Sequence, residues 1–240
     1  MIESINNEKI KNYAKLNDKK YRMETGLFIA AGHHLVIEAL KKGIVKEILL
    51  LNGEDNIYGN VTYVTEEILK KVSNLTNNPK VLAICYIKEN DEVKGNVIIL
   101  DDIKDPGNLG TIIRTSVAFN YETIILSKTC VDIYNPKVVR ASEGMLFNLN
   151  IRINDLEEEI AELKCAGYKI FGTDVVGGEK PYCEKDKHAL IIGSEAKGMS
   201  DNIKKLCDKK LYISMNKKCE SLNAGVSASI LMYELSGSNI

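Results

Sequence analysis

The sequence lacks any long hydrophobic run. Its purely apolar stretches, such as residues 48–51 and 97–100, are far shorter than the roughly 20 residues that a membrane-spanning helix needs. The first residues, MIESINNEKIKNYAKL, are charged throughout and contain no apolar signal core. We therefore expect a cytoplasmic protein with no membrane partner.

Pairs of metal ligands are missing as well. The 6 cysteines are scattered, with no C-x-x-C pair, and none of the 3 histidines lies at ligand spacing. This pattern predicts reduced thiols and no metal site. Cys85 and Cys165 lie in apolar surroundings, so we expect both to be buried as small hydrophobic side chains.

Nucleotide-binding fingerprints are also absent. No G-x-G-x-x-G follows a predicted strand, as a dinucleotide-binding fold would require. Residues 193–198 have the glycine spacing of a triphosphate-binding loop, but Met199 stands where the phosphate-binding lysine should be. A nucleotide- or NAD-dependent enzyme on an ordinary doubly wound sheet therefore remains only as an alternative.

Charge is balanced in total but uneven along the chain. The net charge is -1, yet residues 1–88 carry 13 Lys and Arg against 10 Asp and Glu, and residues 89–240 carry 19 against 23. Six of the basic residues fall between Lys9 and Arg22, although a solvated helix face would show the same pattern. The N-terminal part is the better candidate for contact with a polyanion.

Apolar strands alternate with helices on both sides of one polar stretch. This stretch, KENDEVKGN, leads us to predict a domain at residues 1–88, a linker at 89–96 and a second domain at 97–240. Near-continuous apolar strands in the second domain predict a parallel sheet with a ligand site beyond its carboxyl edge. Here we expect a strand at 211–215, and a capping box formed by Asn154 and Glu157.

Three constrained loops follow predicted strands of the second domain. KDPGNLG enters a helix, which favours either an anion site with Arg114 beyond it or only a well-capped turn. In IIGSEAKGMS, Glu195 is either a functional carboxylate or an acid favoured at a helix start. In ISMNKKCESLN, Ser221 and Asn223 are either functional or helix caps.

In order and spacing, these loops resemble the SpoU (TrmH) family of RNA ribose 2'-O-methyltransferases, within the SPOUT superfamily. D-x-x-x-D-P-x-N-x-G-x-x-x-R spans residues 101–114, G-x-E-x-x-G spans 193–198, and I-x-M…S-L-N spans 213–223. The N-terminal stretch LFIAAGHHLVIEAL is similar to the substrate-binding domain of many members. The resemblance therefore covers nearly the whole chain.

The resemblance implies a fold, a cofactor and partners. The fold is a parallel-sheet SPOUT domain with a deep trefoil knot, preceded by a small L30e-like α/β substrate-binding domain. The cofactor is S-adenosyl-L-methionine, the substrate is ribosomal RNA with transfer RNA as the alternative, and the C-terminal domain forms a homodimer. The implied catalytic positions are Arg114, Asn108, Glu195, Ser221 and Asn223. The implied cofactor-binding positions are Thr173, Gly193, Gly198, Ile213, Met215 and Leu222.

Two positions depart from the family pattern. Ser214 replaces a common proline in the third motif, and Ala31 replaces a common glutamate before Gly32.

The chemistry of arginine limits what Arg114 can do. Because a guanidinium donates hydrogen bonds but does not accept them, we expect Arg114 to clamp the target phosphate and stabilise the developing alkoxide. The proton then leaves to water or to a nearby group. A catalytically silent RNA-binding homologue is the other alternative, opposed by the presence of all the implied catalytic residues.

Overall fold

A computed structural model of the chain describes residues 1–75, 78–88, 92–175 and 177–237. Residues 89–91 of the predicted linker lie outside the described residues. The chain divides into a first unit, Met1–Lys88 with Asp132–Phe147, and a second unit, Glu89–Val131 with Asn148–Ile240. Residues 132–147, which the sequence interpretation had within the second domain, are thus grouped with the first unit by their contacts.

The helices and strands alternate along the described chain. No helix among them is long and apolar enough to cross a membrane. In chain order the elements are α1 (Glu8–Lys15), α2 (Lys19–Thr25), β1 (Leu27–Ala31), α3 (His33–Lys41), β2 (Val45–Leu51), β3 (Thr62–Val64), α4 (Glu66–Ser73), β4 (Val81–Tyr86), β5 (Asn96–Asp101), α5 (Pro106–Ala118), β6 (Tyr121–Ser127), α6 (Pro136–Ala141), a 3-10 turn (Met145–Asn148), β7 (Asn150–Asn154), α7 (Leu156–Cys165), β8 (Lys169–Thr173), β9 (His188–Gly193), α8 (Asp201–Leu206), β10 (Lys209–Leu211) and α9 (Ala224–Ser236).

The first unit is built on a mixed sheet with strand order β1-β4-β2-β3. Strand β4 runs antiparallel to both β1 and β2, and β3 runs parallel to β2. Helices α1 and α4 cover one face, where Ile10, Leu69 and Leu82 are fully buried. The carboxyl ends of β1, β2 and β3 therefore lie at one edge of this sheet.

The segment 132–147 is part of the core of the first unit. The Arg22 side chain is 3% exposed and forms an ion pair with Asp132, and its Nη1 also donates to the Leu16 carbonyl at 2.6 Å. The Phe28 ring lies 4.9 Å from the Tyr134 ring, centroid to centroid. A buried charge is tolerated only when it is paired and hydrogen-bonded, so this ion pair joins α2 firmly to the segment.

The second unit contains a parallel sheet with strand order β10-β8-β9-β5-β6-β7. Every strand pair in it is parallel, as the sequence predicted. The strands are nearly continuous apolar runs because helices cover them; for example, β9 is buried along its whole length. Parallel strands bring their carboxyl ends together, so the loops after β5, β8, β9 and β10 meet at one edge.

Helices α5 and α9 pack side by side in the same direction. Thr115 Oγ1 lies 2.9 Å from Ser229 Oγ, and one turn later the Phe119 and Tyr233 rings are 5.6 Å apart. Both pairs are separated by the same number of residues in the chain, which requires parallel axes. The two helix N-termini therefore lie next to each other at the carboxyl edge of the sheet.

Three local predictions were wrong. Strand β10 ends at Leu211, so residues 212–215 form a loop instead of continuing the strand. The N-cap of α7 is Asp155, whose side chain accepts from the backbone N–H of Glu157, so Asn154 makes no capping box. Cys85 is buried as expected, but Cys165, at the last position of α7, is exposed.

Candidate active site

A cavity of about 280 Å³ opens at the carboxyl edge of the second unit's sheet. Its walls are the ends of β8, β9 and β10, the loops that follow them, and one side of α9. This is where ligands bind in open parallel sheets. The predicted cofactor positions all line it: Thr173, Gly193, Gly198, Ile213, Met215 and Leu222.

The loop after β9 doubles back tightly. Ser194 N donates to the Gly198 carbonyl at 3.1 Å, and Gly198 N donates to the Ser194 carbonyl at 2.8 Å. Gly198 has a φ of +66°, which favours glycine. A Cβ at Gly193 would lie 2.1 Å from both the carbonyl carbon of Gly198 and the nitrogen of Met199. Only glycine at position 193 allows the loop to close over the end of β9.

The first motif explains how the neighbouring loops are held. Asp101, at the end of β5, accepts a 2.8 Å hydrogen bond from Ser200 N, which anchors the far end of the loop after β9. Asp105 is the N-cap of α5 and accepts from Asn108 N at 2.8 Å, with Pro106 at the first helical position. The D-x-x-x-D spacing thus reflects one tie between loops and one helix cap.

A third carboxylate stiffens the same turn. Asp102 has a φ of +62° and forms an ion pair with Lys104 at 2.6 Å. The hydrogen bond from Lys104, with a second from Thr129, holds the pKa of Asp102 below its ordinary value. Asp102 therefore stays charged and keeps Lys104 directed back onto the loop.

Three of the predicted catalytic residues are joined by hydrogen bonds. Asn223 Nδ2 donates to Asn108 Oδ1 at 2.8 Å, and Asn108 Nδ2 donates to Glu195 Oε1. Both Glu195 and Ser221 line the cavity. The three motifs, far apart in the chain, thus meet at a single place.

Arg114 lies apart from this cluster. It is exposed on α5, about 9 Å along the helix axis from Asn108, and does not line the cavity. Within the described ranges, its side chain makes no hydrogen bond or ion pair. An exposed guanidinium on this helix is suited to a ligand phosphate that approaches from solvent.

Several lining residues were not predicted from the sequence. Asp174 follows Thr173 directly, Lys197 lies in the loop after β9, and Lys204 comes from α8. Asp174 could have been found, because it follows the end of a strand at the ligand-binding edge. Lys204 carries no such signal, since only the packing of α8 brings it to the cavity.

The donor set fits S-adenosylmethionine. The volume is close to the lower end of the roughly 300–1,000 Å³ that is usual for small-molecule sites. Ile213, Leu222 and Leu231 supply an apolar lining, and the glycine-rich loop leaves backbone groups accessible. Asp174 and Glu195 are carboxylates that suit a ligand with positive charges. Among the described residues, no group of three or more His, Cys, Asp or Glu is placed to hold a metal ion.

Comparison with known proteins identifies the family. The "SpoU rRNA Methylase family" model matches residues 95–233, and the "MRM3-like substrate binding domain" model matches residues 7–83. The 23S rRNA (guanosine(2553)-2'-O)-methyltransferase RlmP of Bacillus subtilis (strain 168) is 36% identical over 246 residues, covering 98% of this chain and 99% of the relative. The crystal structure of an AdoMet-bound rRNA methyltransferase from Sinorhizobium meliloti matches with a TM-score of 0.85 at 26% identity, over 97% of this chain and 95% of that one.

This chain belongs to the SpoU rRNA methylase family. The family predicted from the three motifs is confirmed. The predicted class is confirmed with it, an RNA ribose 2'-O-methyltransferase that uses S-adenosylmethionine.

Proposed function

We propose that this protein methylates a ribose 2'-hydroxyl of ribosomal RNA. The observation that carries the proposal is the convergence, at one sheet edge, of the cavity and the hydrogen-bonded Asn108, Glu195 and Asn223. Similarity over nearly the full length to a 23S rRNA methyltransferase supports ribosomal rather than transfer RNA as the substrate. A catalytically silent RNA-binding role would leave these side chains without a task.

The six cofactor positions would hold S-adenosylmethionine in the cavity. S-adenosylmethionine supplies a methyl group that its sulfonium already activates. The backbone around Gly193 and Gly198 would donate and accept hydrogen bonds, while Ile213, Met215 and Leu222 would pack on the apolar parts. A cofactor that fills the cavity would displace water from it, which would strengthen the electrostatic contacts there.

Arg114 would act on the RNA. Its planar fork can bind two oxygens of the target phosphate and can donate to the alkoxide that develops at the ribose oxygen. It holds that oxygen in line with the methyl carbon, about 3 to 3.5 Å away. Ser221, at the cavity edge, would donate to the same nucleotide. Only RNA carries the 2'-hydroxyl, so the reaction itself selects RNA over DNA.

The first unit would bind the RNA, with its L30e-like fold as the platform. Three of the six clustered basic residues are engaged: Arg22 with Asp132, Lys9 with Glu47, and Lys20 with Glu24. The others are exposed and form no ion pair within the described ranges: Lys11, Lys15 and Lys19. These three lysines are our candidates for phosphate contacts.

The knot, the dimer and the location in the cell complete the proposal. Strand β10 lies at one end of the sheet order, yet α9 packs on α5, so residues 212–223 must cross the carboxyl edge of β8. Such a crossing supports a trefoil knot.

Val226 and Tyr233 of α9 are 45% and 54% exposed, which supports a homodimer through this helix. The likeness to a bacterial rRNA methyltransferase supports a cytoplasmic location.

Mapping of ribose methylation tests the proposal. The purified protein and S-adenosylmethionine are incubated with total RNA from cells that lack the protein, and 2'-O-methyl groups are mapped on every RNA. We expect one new site in 23S rRNA. A new site in transfer RNA alone would change the substrate, and the absence of any new site would contradict methyl transfer.

A further inference from the structure

A hydrogen-bond chain with one direction runs across the cavity mouth. It begins at Val226 N, in the first turn of α9, which donates to Asn223 Oδ1 at 3.2 Å. Asn223 Nδ2 donates to Asn108 Oδ1, and Asn108 Nδ2 donates to Glu195 Oε1. Each link thus points from a helix N-terminus toward a carboxylate.

The donors and acceptors in this chain leave no alternative orientation for either amide. If Asn223 were flipped, its NH2 group would face the N–H of Val226. If Asn108 were flipped, its carbonyl oxygen would face the carboxylate of Glu195. The helix cap at Asn223 therefore fixes Asn108, and Asn108 fixes Glu195.

Glu195 retains the capacity to accept a proton. Its side chain is exposed at the edge of the cavity, and Oε2 has no hydrogen-bond partner among the described residues. The other charged side chains that line the cavity are Asp174, Lys197 and Lys204. Asp174 accepts a hydrogen bond from the backbone N–H of Val175. Glu195 is the cavity carboxylate that accepts a hydrogen bond from the Asn223–Asn108 amide chain.

We propose that Glu195 accepts the proton that the ribose 2'-hydroxyl loses, and that Asn108 and Asn223 are positioning residues for it. The inference rests on the proposed function. The ribose oxygen forms a bond to the methyl carbon, and the carbon–sulfur bond breaks, leaving its electron pair on the sulfur as a neutral thioether. The O–H proton passes to Glu195 and then to water, since the side chain is exposed. Arg114, which cannot accept a proton, stabilises the oxygen while this happens.

Two nearly isosteric variants of the full-length protein test this in single-turnover methyl transfer across pH. Glu195→Gln keeps an acceptor for Asn108 but removes the base, so the rate should fall about 100-fold or more and the decline of the rate toward acid pH should vanish. Asn108→Asp places a second carboxylate against Glu195, so that decline should move to higher pH. S-adenosylmethionine is kept at a saturating concentration for each variant, because Glu195 lines the cavity and its replacement also alters cofactor binding.

A third variant separates the effect of capping α9 from the effect of the hydrogen-bond chain. Asn223→Asp still caps α9, because a carboxylate oxygen accepts well from the first-turn N–H groups. The new carboxylate cannot donate to Asn108. The Asn108 amide therefore flips, so that its NH2 group faces the carboxylate at position 223 and no longer faces Glu195. We expect thermal stability to be retained and the rate to fall. A lost helix cap would instead lower stability.

A readout without cofactor or RNA completes the test. In the wild-type protein, the side-chain amide 15N signal of Asn108 should move with pH as Glu195 titrates, and in Glu195→Gln it should not. If Glu195→Gln keeps both its rate and its acid decline, the proton-acceptor role is wrong while the proposed function stands. If the wild-type protein methylates no RNA, the proposed function and this role both fail, while the amide titration still decides the hydrogen-bond chain.

Discussion

Glu47 of the first unit and Glu195 of the second are both carboxylates held by side chains, but to different degrees. The Glu47 side chain is 14% exposed and accepts from Lys9 Nζ at 2.6 Å. Tyr13 OH donates to it at 2.5 Å, and Thr62 Oγ1 at 2.7 Å. Glu195 is exposed, and in the part of the chain that the structure describes it accepts one side-chain hydrogen bond, from Asn108.

The difference shows how hydrogen bonding distinguishes a carboxylate that joins structural elements from one that is accessible to a ligand. Burial raises the pKa of Glu47. The hydrogen bonds from Lys9, Tyr13 and Thr62 lower the pKa by more, so the pKa lies below its ordinary value. Burial and the bond to Glu47 raise the pKa of Tyr13. The bonds to Glu47 join α1 to β2 and β3. Among the described residues, Glu195 Oε2 has no hydrogen-bond partner, so this oxygen is accessible to a ligand.

The largest effect is expected at the arginine of the second unit. Arg114→Ala should lower methyl transfer by about 1,000-fold, because it removes a donor that acts on charge developing in the transition state. Affinity for S-adenosylmethionine should stay unchanged, since Arg114 does not line the cavity. Arg114→Lys should recover little of the rate, because a point charge lacks the planar fork. An active Arg114→Ala protein would remove Arg114 from the mechanism.

The next largest effect, on cofactor affinity, is expected when the loop after β9 can no longer close over the end of that strand. Gly193→Ala places a methyl group 2.1 Å from the backbone of residues 198 and 199, so the loop must shift. We expect affinity for S-adenosylmethionine to fall about 100-fold in equilibrium dialysis, or about 2.8 kcal/mol. Ala166→Ser is the control, since it adds one atom at an exposed position that does not line the cavity. Equal affinities for the two variants would contradict this account of the loop.

The first unit should respond in stability rather than in chemistry. Arg22→Met leaves Asp132 buried without its partner, so the free energy of unfolding should fall by about 3–5 kcal/mol in urea titrations. Adding Asp132→Leu should recover most of that loss. If the double variant is as unstable as the single one, the loss is not due to an unpaired charge.

Glu47 should make stability depend on pH. Because its pKa is lowered in the folded state, the stabilisation is present above the unfolded pKa of about 4.3 and is lost as pH falls through the folded value. Glu47→Gln should therefore lower the free energy of unfolding by about 1.5 kcal/mol at pH 7, and by less in acid. Glu3→Gln, exposed and outside the helices, should match the wild type at every pH. A constant difference at all pH values would rule out titration of Glu47 as the cause.

The smallest effect is expected at the exposed lysines. Changing Lys11, Lys15 and Lys19 together to Gln should weaken RNA binding and lower the salt slope by about 2, through lost counterion release. The control changes three exposed lysines of the second unit to Gln: Lys94, Lys180 and Lys185. We prefer substitution to deletion of residues 1–88, because deletion would uncover buried side chains of residues 132–147, such as Val138 and Val139. Equal salt slopes for the two triple variants would contradict the assignment.

The sequence predicts most of the fold because apolar runs record burial. The parallel sheet was predicted from near-continuous apolar strands, and every strand pair in it is parallel. The length of β10 was not predicted correctly, because Ile213 and Met215 continue the apolar pattern of the strand but line the cavity. Composition cannot distinguish an apolar residue that lines a ligand site from one that extends a strand.

The motifs indicated which residues to consider for the candidate site, but not the hydrogen bonds between them. Three motifs indicated Asn108, Glu195 and Asn223, but the bond between Asn108 and Glu195 joins residues 87 apart in the chain. Such a pairing depends on how the loops meet, which local pattern does not contain. At the start of α7, Asn154 and Asp155 are both good N-caps, and only the structure shows that Asn154 donates to Glu159 instead.

Calorimetric titration of the wild-type protein with S-adenosylmethionine, in the presence of a chelator, tests most directly whether the cavity of the second unit is a cofactor site. The account predicts saturable binding that the chelator does not change, because the site consists of backbone loops and side chains such as Ile213 and Leu222. No heat of binding at millimolar S-adenosylmethionine would contradict it.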